Sequence, residues 1–448
     1  MQTPLRPQLL QQLLRLIPAF LLAMAFLGLA VPILAANPGD LDPSFGNNGV
    51  VTTTIDSEAL AYAMAIQADG KIIVAGASGT KFFNSNLAVS RYTITGSLDS
   101  TFGGDGVVTT SIGSNSSSRA VAVQPDGKIV AGGVSSGIPD RFALARYTIT
   151  GTLDNTFGNN GSVTTTVGTN GSIMAIAIQP DSKIIAVGSG TSGGQTVFAL
   201  ARYTVTGSMD STFGYNGIVT TPIGSNASGR AVVLQSDGKI LVAGRSSIGN
   251  LPLTFALTRY TITGSLDSTF GNSGVVTTSI GNGDTGLGVT TQPDGKIIVV
   301  GASDLNALSG SEIALASYTI TGTLDSTFGK SGIVTTSIAN SAYATDVTIQ
   351  PDGQIIVIGG SQNSFALVRY NNDGTLDSEF GSSGIITTPI GTDAGGESVA
   401  LQSDGKIIAA GPSSDGSHNM MFTVVRYLSN PSNSNTPQQT YLPLVIKQ

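Results

Sequence analysis

Beyond residue 36 the apolar residues fall in short, dense runs rather than in long amphipathic stretches. Ala120-Val121-Ala122-Val123 and Ile129-Val130-Ala131 are rich in β-branched residues, and Gln124-Pro125-Asp126-Gly127-Lys128 separates them. Such runs bounded by Pro, Asp and Gly read as strands. An Asp-Gly between two of them is a tight-hairpin signal, because glycine accepts positive φ without steric cost. A third run covers Phe142 to Tyr147, and a fourth, from Gly106 to Ser111, carries Val-Val-Thr-Thr. No segment sustains a 3.6-residue period between helix caps. The pattern predicts four short strands: A ending at the glutamine, B after the Asp-Gly-Lys turn, C ending in Arg-Tyr, and D in the Gly-x-Val-Thr-Thr run.

This quartet recurs seven times. LDxxFG starts at Leu41, Leu98, Leu153, Met209, Leu266, Leu324 and Leu376, a period of 52 to 58 residues. QxDGK starts 26 residues later each time, at Gln67, Gln124, Gln179, Gln235, Gln292, Gln350 and Gln402. Arg-Tyr pairs such as Arg146-Tyr147 lie 7 residues before the next LDxxFG. Only the segment from the lysine position to the arginine position varies, from 15 to 21 residues. Four strands in a unit of this size, repeated seven times, predict an all-β fold: a seven-bladed β-propeller of four-stranded antiparallel blades over residues 37–427. A parallel β-solenoid is the rival, but its coils are shorter and need no antiparallel hairpin in each. The array opens with a D strand and ends after a C strand, so the N-terminal strand is expected to complete the last blade and close the ring.

The consensus AIQPDGKIIVAG … FALARYxxTGSLDSTFGxxGVVTT, spread over residues 39–427, resembles the delta-60 repeat family of bacterial secreted and surface proteins. The resemblance implies a propeller and carries no general activity with it. Departures are local: Ser182 replaces the hairpin glycine, Gln354 the lysine and Ser317 the arginine.

Composition narrows the chemistry. There are no cysteines, no tryptophans and one histidine, which excludes disulfide scaffolds, thiol nucleophiles and Cys- or His-based metal centres. No metal or cofactor is expected. The net charge of −7 argues against nucleic-acid binding. Residues 1–36 hold Arg6 and Arg15, then an uncharged apolar stretch ending at Ala35-Ala36, and read as a signal peptide, with an uncleaved anchor as the alternative. Its removal leaves 19 basic residues against 28 acidic ones. The expected location is secreted or at the cell surface, with no integral membrane domain after cleavage and a monomeric state. Residues 428–440 read as a polar linker and 441–448 as a short apolar tail.

Most charge belongs to the repeat: six Arg-Tyr arginines and six Asp-Gly-Lys lysines make 12 of those 19 basic residues. Residues placed in every blade are expected to serve the blade. Candidate chemistry therefore sits where the copies differ. Five residues before each glutamine the chain reads Tyr62, Arg119, Met174, Arg230, Leu287, Thr345 and Glu397, with Asp346 alongside. The variable B–C loops are expected to add Phe82, Phe83, Arg141 and Arg245, together with Lys81, Asp140, Asp304, Glu312 and His418, on the face opposite the constant turns. From these residues the expected function is a non-enzymatic binding or surface-structural module, engaging a protein or a cell-surface glycan through Tyr62, Arg119, Arg230, Asp346, Glu397, Phe82, Phe83, Arg141 and Arg245. The alternative is a propeller enzyme, a hydrolase or lyase, working in the central funnel.

Overall fold

A computed structural model describes residues 37–429, except 81, 82, 306–309 and 418. Residues 1–36, expected to be a signal peptide, residues 430–440 of the expected linker, the expected tail 441–448, Lys81, Phe82 and His418 thus lie outside the described residues. The described strands form seven separate four-stranded sheets, each antiparallel throughout. Blade 1 holds A (Glu58–Ile66), B (Ile72–Thr80), C (Phe83–Tyr92) and D (Val107–Thr110). Blades 2 to 6 repeat this order, and every A–B connection is the predicted hairpin. In blade 1 the Gln67 amide donates to Lys71 O at 2.8 Å and Gly70 takes φ +82°. Ser182, at the equivalent place in blade 3, is held at φ +63°, which shows that the turn itself dictates the conformation.

Blade 7 is completed as expected. Its A (Ser398–Leu401), B (Ile407–Ser414) and C (Met420–Tyr427) strands accept Val50–Thr53 as the outer strand, with Val50 opposite Val425 and Thr53 opposite Phe422. Backbone bonds from Gly39 N to Leu428 O (2.7 Å) and from Asp42 N to Arg426 O (2.9 Å) extend the seam.

Between blades the core is made of Ala, Val, Ile and Leu from B and C strands against the next A strand, with one fully buried phenylalanine from each LDxxFG. The repeated polar residues tie blade to blade. Each Arg-Tyr tyrosine donates its hydroxyl to a D-strand threonine of the preceding blade, as Tyr147 does to Thr110 at 2.7 Å and Tyr427 to Thr388 at 2.8 Å. Each arginine pairs with the next LDxxFG aspartate: Arg91–Asp99, Arg202–Asp210 and Arg426–Asp42 all at 2.8 Å. The guanidinium also lies 4.4–4.8 Å from its LDxxFG phenylalanine ring. In blades 1, 2, 3, 4 and 7 it reaches a carbonyl of the following blade, as in Arg259 to Ile320 O at 2.5 Å. The turn lysine joins the same carboxylate, at 3.3 Å for Lys128–Asp154. Where the arginine is missing at Ser317, Lys296 moves to 2.9 Å from Asp325. The repeated charges are joints of the ring.

Candidate functional site

One irregularity recurs in every complete inner strand. The A–B register skips one residue of strand A: Tyr62, Arg119, Met174, Arg230, Leu287 and Thr345 in blades 1 to 6. These are β-bulges, which bend a strand and re-aim the extra side chain. In blade 7 the strand begins at Ser398, directly after the equivalent Glu397. The bulge explains a glycine in each strand B. A Cβ on Gly76, Gly133, Gly188, Gly244, Gly301, Gly359 or Gly411 would meet a strand-A or pre-strand carbonyl oxygen at 1.8–2.1 Å. These glycines give room for a bulged backbone.

The six bulged residues and Glu397 meet on the axis. A cavity of about 270 Å³ is lined by Tyr62, Arg119, Met174, Arg230, Leu287, Thr345 and Glu397, with Tyr343, Asp346 and Ser398 beside them. Its wall takes a residue from every blade. Going round, the charges segregate. Blades 2 and 4 contribute Arg119 and Arg230, blade 3 places Met174 between them, and blades 6, 7 and 1 group Tyr343, Glu397 and Tyr62. Arg119 stacks on Tyr62, its guanidinium carbon 3.8 Å from the ring centroid. Arg230 lies with Nη1 3.7 Å from Met174 Sδ, and its Nε is buried without a hydrogen-bond partner among the described residues. Burial, with Arg245 and Arg119 nearby, pushes the Arg230 guanidinium down to about 10, so it remains charged at neutral pH. Burial raises both tyrosines: Tyr62 despite Arg119 and helped by Glu397, Tyr343 with added repulsion from Glu397 and Asp393.

Two residues of the wall, the expected site residue Asp346 and its neighbour Thr345, also serve a blade junction. Asp346 is 1% exposed. Its Oδ1 accepts from the Val347 amide at 2.8 Å, and its Oδ2 from the Ser398 hydroxyl and the Val399 amide, both at 3.1 Å. Thr345 lies 2.8 Å from Gly396 O and 3.1 Å from Ile358 O. Both join blade 6 to blade 7, and a buried carboxylate needs such partners.

The variable-loop residues are only partly in loops. Arg141 and Phe83 begin C strands, and Arg141 is exposed opposite Ser135. Arg245 sits within strand B of blade 4, opposite Ser228 and Phe255, and belongs with Arg230 rather than with a loop. The B–C and D–A connections do share one face: Asp140 bridges Asn170, and Gly391 bridges Ser414. Tyr343 was missed by sequence reasoning, since it lies two residues before the position that was compared across blades and no motif marks it. Among the described residues no cluster of three or more His, Cys, Asp or Glu could hold a metal, and no helix is long and apolar enough to cross a membrane.

Six segments, residues 67–102, 124–157, 179–213, 235–270, 292–328 and 350–380, match the family profile described as "Domain of unknown function (DUF5122) beta-propeller". Each runs from a QxDGK turn to the next LDxxFG. The seventh such unit would start at Gln402 and finish at Phe45, so the chain ends divide it. This is a β-propeller repeat protein. No curated protein matches it. Among solved structures, the propeller is similar to a protein of unknown function from Dyadobacter fermentans (12% identity, TM-score 0.49, 87% of this chain and 100% of that one). Similar too are virginiamycin B lyase from Staphylococcus aureus (11%, 0.47, 84% and 98%) and polysaccharide lyase Uly1 (12%, 0.46, 82% and 89%). At such identities the likeness concerns the fold alone.

Proposed function

We propose that this protein is an exported, non-enzymatic binding propeller that engages a protein or a cell-surface glycan through the axial funnel and the variable-loop face around it. One observation carries this reading: every blade delivers to the funnel an inner-strand residue that differs between copies, while the copies' constant charges are consumed in blade junctions. A rigid scaffold presenting non-repeated side chains in a concavity is the usual form of a binding site. Export rests on the leader-like residues 1–36, and fractionation of cells producing the full chain tests it. Binding is tested by a glycan array and a surface pull-down with residues 37–448. Retained binding in an Arg119→Ala/Arg230→Ala/Arg141→Ala variant would remove the proposed face.

A hydrolase or lyase reading has one observation in its favour, Glu397 set between Tyr62 and Tyr343. Against it, both phenols are shifted away from ionisation, so neither is poised as a base near neutral pH. A hydrolytic or eliminative activity lost in Glu397→Gln would reverse this choice.

A further inference from the structure

Among the described residues the funnel's basic side has no counter-ion within ion-pair distance. No ion pair among the described residues involves Arg119, Arg230 or Arg245, in contrast to the Arg-Tyr arginines, six of which have an aspartate. Arg230 is the sharpest case. Its Nε–H is buried with no acceptor among the described residues, the residue lines the cavity, and a buried cation without a counter-charge costs stability that an anionic ligand can return. Arg119 is held flat on Tyr62, which orders its planar fork while leaving the N–H edge for hydrogen bonding. Met174 stands between the two in the ring, and Arg119 is near enough to Arg230 to repel its charge.

We infer that Arg230 and Arg119 form an oxyanion site for the carboxylate of an acidic sugar, a single uronate ring seated in the funnel. This rests on the binding function proposed above and names its ligand class. A guanidinium fork matches a carboxylate in a bidentate, charge-assisted arrangement. The cavity of about 270 Å³ is at the small end of ligand sites, which suits one ring rather than a polymer segment. Met174 and Leu287 offer an apolar wall for the C–H face of a pyranose. Tyr343, which is 36% exposed, and Glu397 stand across the cavity where ring hydroxyls arrive. The site is thus divided into an anion half, an apolar flank and a hydroxyl half.

The test is a titration of residues 37–448 with D-glucuronate, D-glucose, acetate and inorganic sulfate, followed by calorimetry and tyrosine fluorescence. Glucuronate is expected to bind at least tenfold more tightly than each of the other three. Arg230→Met should weaken it roughly 10- to 100-fold, the loss expected for hydrogen bonds to a charged group. Lys330→Met, exposed beside a constant LDxxFG turn and outside the cavity, should leave it unchanged. Competition by sodium chloride in the unaltered protein gives a second reading that needs no variant. Glucose matching glucuronate, acetate or sulfate matching glucuronate, or no glucuronate binding would each overturn the inference. A glycan-array signal that survives in Arg230→Met would then show that the broader binding function stands without this site.

Discussion

Arg146→Ser asks whether the repeated charges hold the ring together. Arg146 is 2% exposed and bridges two blades. Its Nε pairs with Asp154 at 2.9 Å, Nη2 reaches Thr156 at 3.2 Å and Nη1 reaches Gln124 at 3.4 Å. Nη1 also donates to the Val205 carbonyl of the next blade, and the guanidinium lies 4.5 Å from the Phe157 centroid. Removing one member of a buried ion pair costs about 3–5 kcal/mol, because the other charge is left behind. Here Lys128 remains 3.3 Å from Asp154 with about a third of its side chain exposed, so the cost falls at the lower end, about 3 kcal/mol. Blade 5 shows that the arrangement tolerates the loss: Ser317 stands in place of the arginine, and among the described residues Lys296 is the one cation paired with Asp325. Urea unfolding followed by tyrosine fluorescence reads the difference without interference, since the chain has no tryptophan. Adding Lys128→Met should cost more in the Arg146→Ser background than in the unaltered protein, because the second change strips Asp154 of its last cation. A loss below about 1 kcal/mol for Arg146→Ser, or strict additivity of the pair, would refute the argument and return these charges to the list of candidates for chemistry.

Three further outcomes follow from the geometry. Deleting residues 37–56 removes the outer strand of blade 7 and the Asp42–Arg426 contact, and calorimetry should show the whole ring losing its cooperative transition rather than one blade fraying. Asp99, Asp154 and Asp210 are lowered to about 2 in the folded protein: burial opposes ionisation, but hydrogen bonds from Thr101, Thr156 and Thr212 and the nearby cations outweigh it. Depressed carboxyls stabilise the fold above about pH 4, and that share is lost as the pH falls towards 2, so circular dichroism in acid should show Asp154→Asn with a smaller loss than the parent. Gly188→Ala would put a Cβ 1.9 Å from Ser172 O; the expected cost exceeds 2 kcal/mol in thermal or urea unfolding, within the range for overpacking, whereas Gly416→Ala, with open space around it, should cost well under 1 kcal/mol.

The strand order, the blade count, the hairpins and the ring closure were legible in the sequence because each has a local cause. Asp-Gly turns and β-branched runs act over a few residues, and sevenfold repetition averages out the exceptions. The axial residues were found by comparing copies at one offset, which identified Tyr62, Arg119, Arg230 and Glu397. The reason they face the axis was not legible: a bulge depends on how two strands pair, and a glycine in strand B looks the same whether it serves a turn or makes room for a carbonyl. Asp346 shows the opposite limit. Its charge suggested a ligand contact, but only packing reveals that its oxygens are occupied by Ser398 and Val399. Arg245 was assigned to a loop because the extent of strand B in blade 4 cannot be read from spacing alone.

The inner-strand bulge also separates two kinds of inheritance. A residue in regular pairing answers to its neighbours above, below and across, so changing it disturbs the sheet. A bulged residue is released from that register, and the scaffold constrains it little beyond the glycine opposite. The ring therefore behaves like a lock with separate pins: copies can diverge at those positions without disturbing the sheet, and a new specificity can arise without a new fold having to be found.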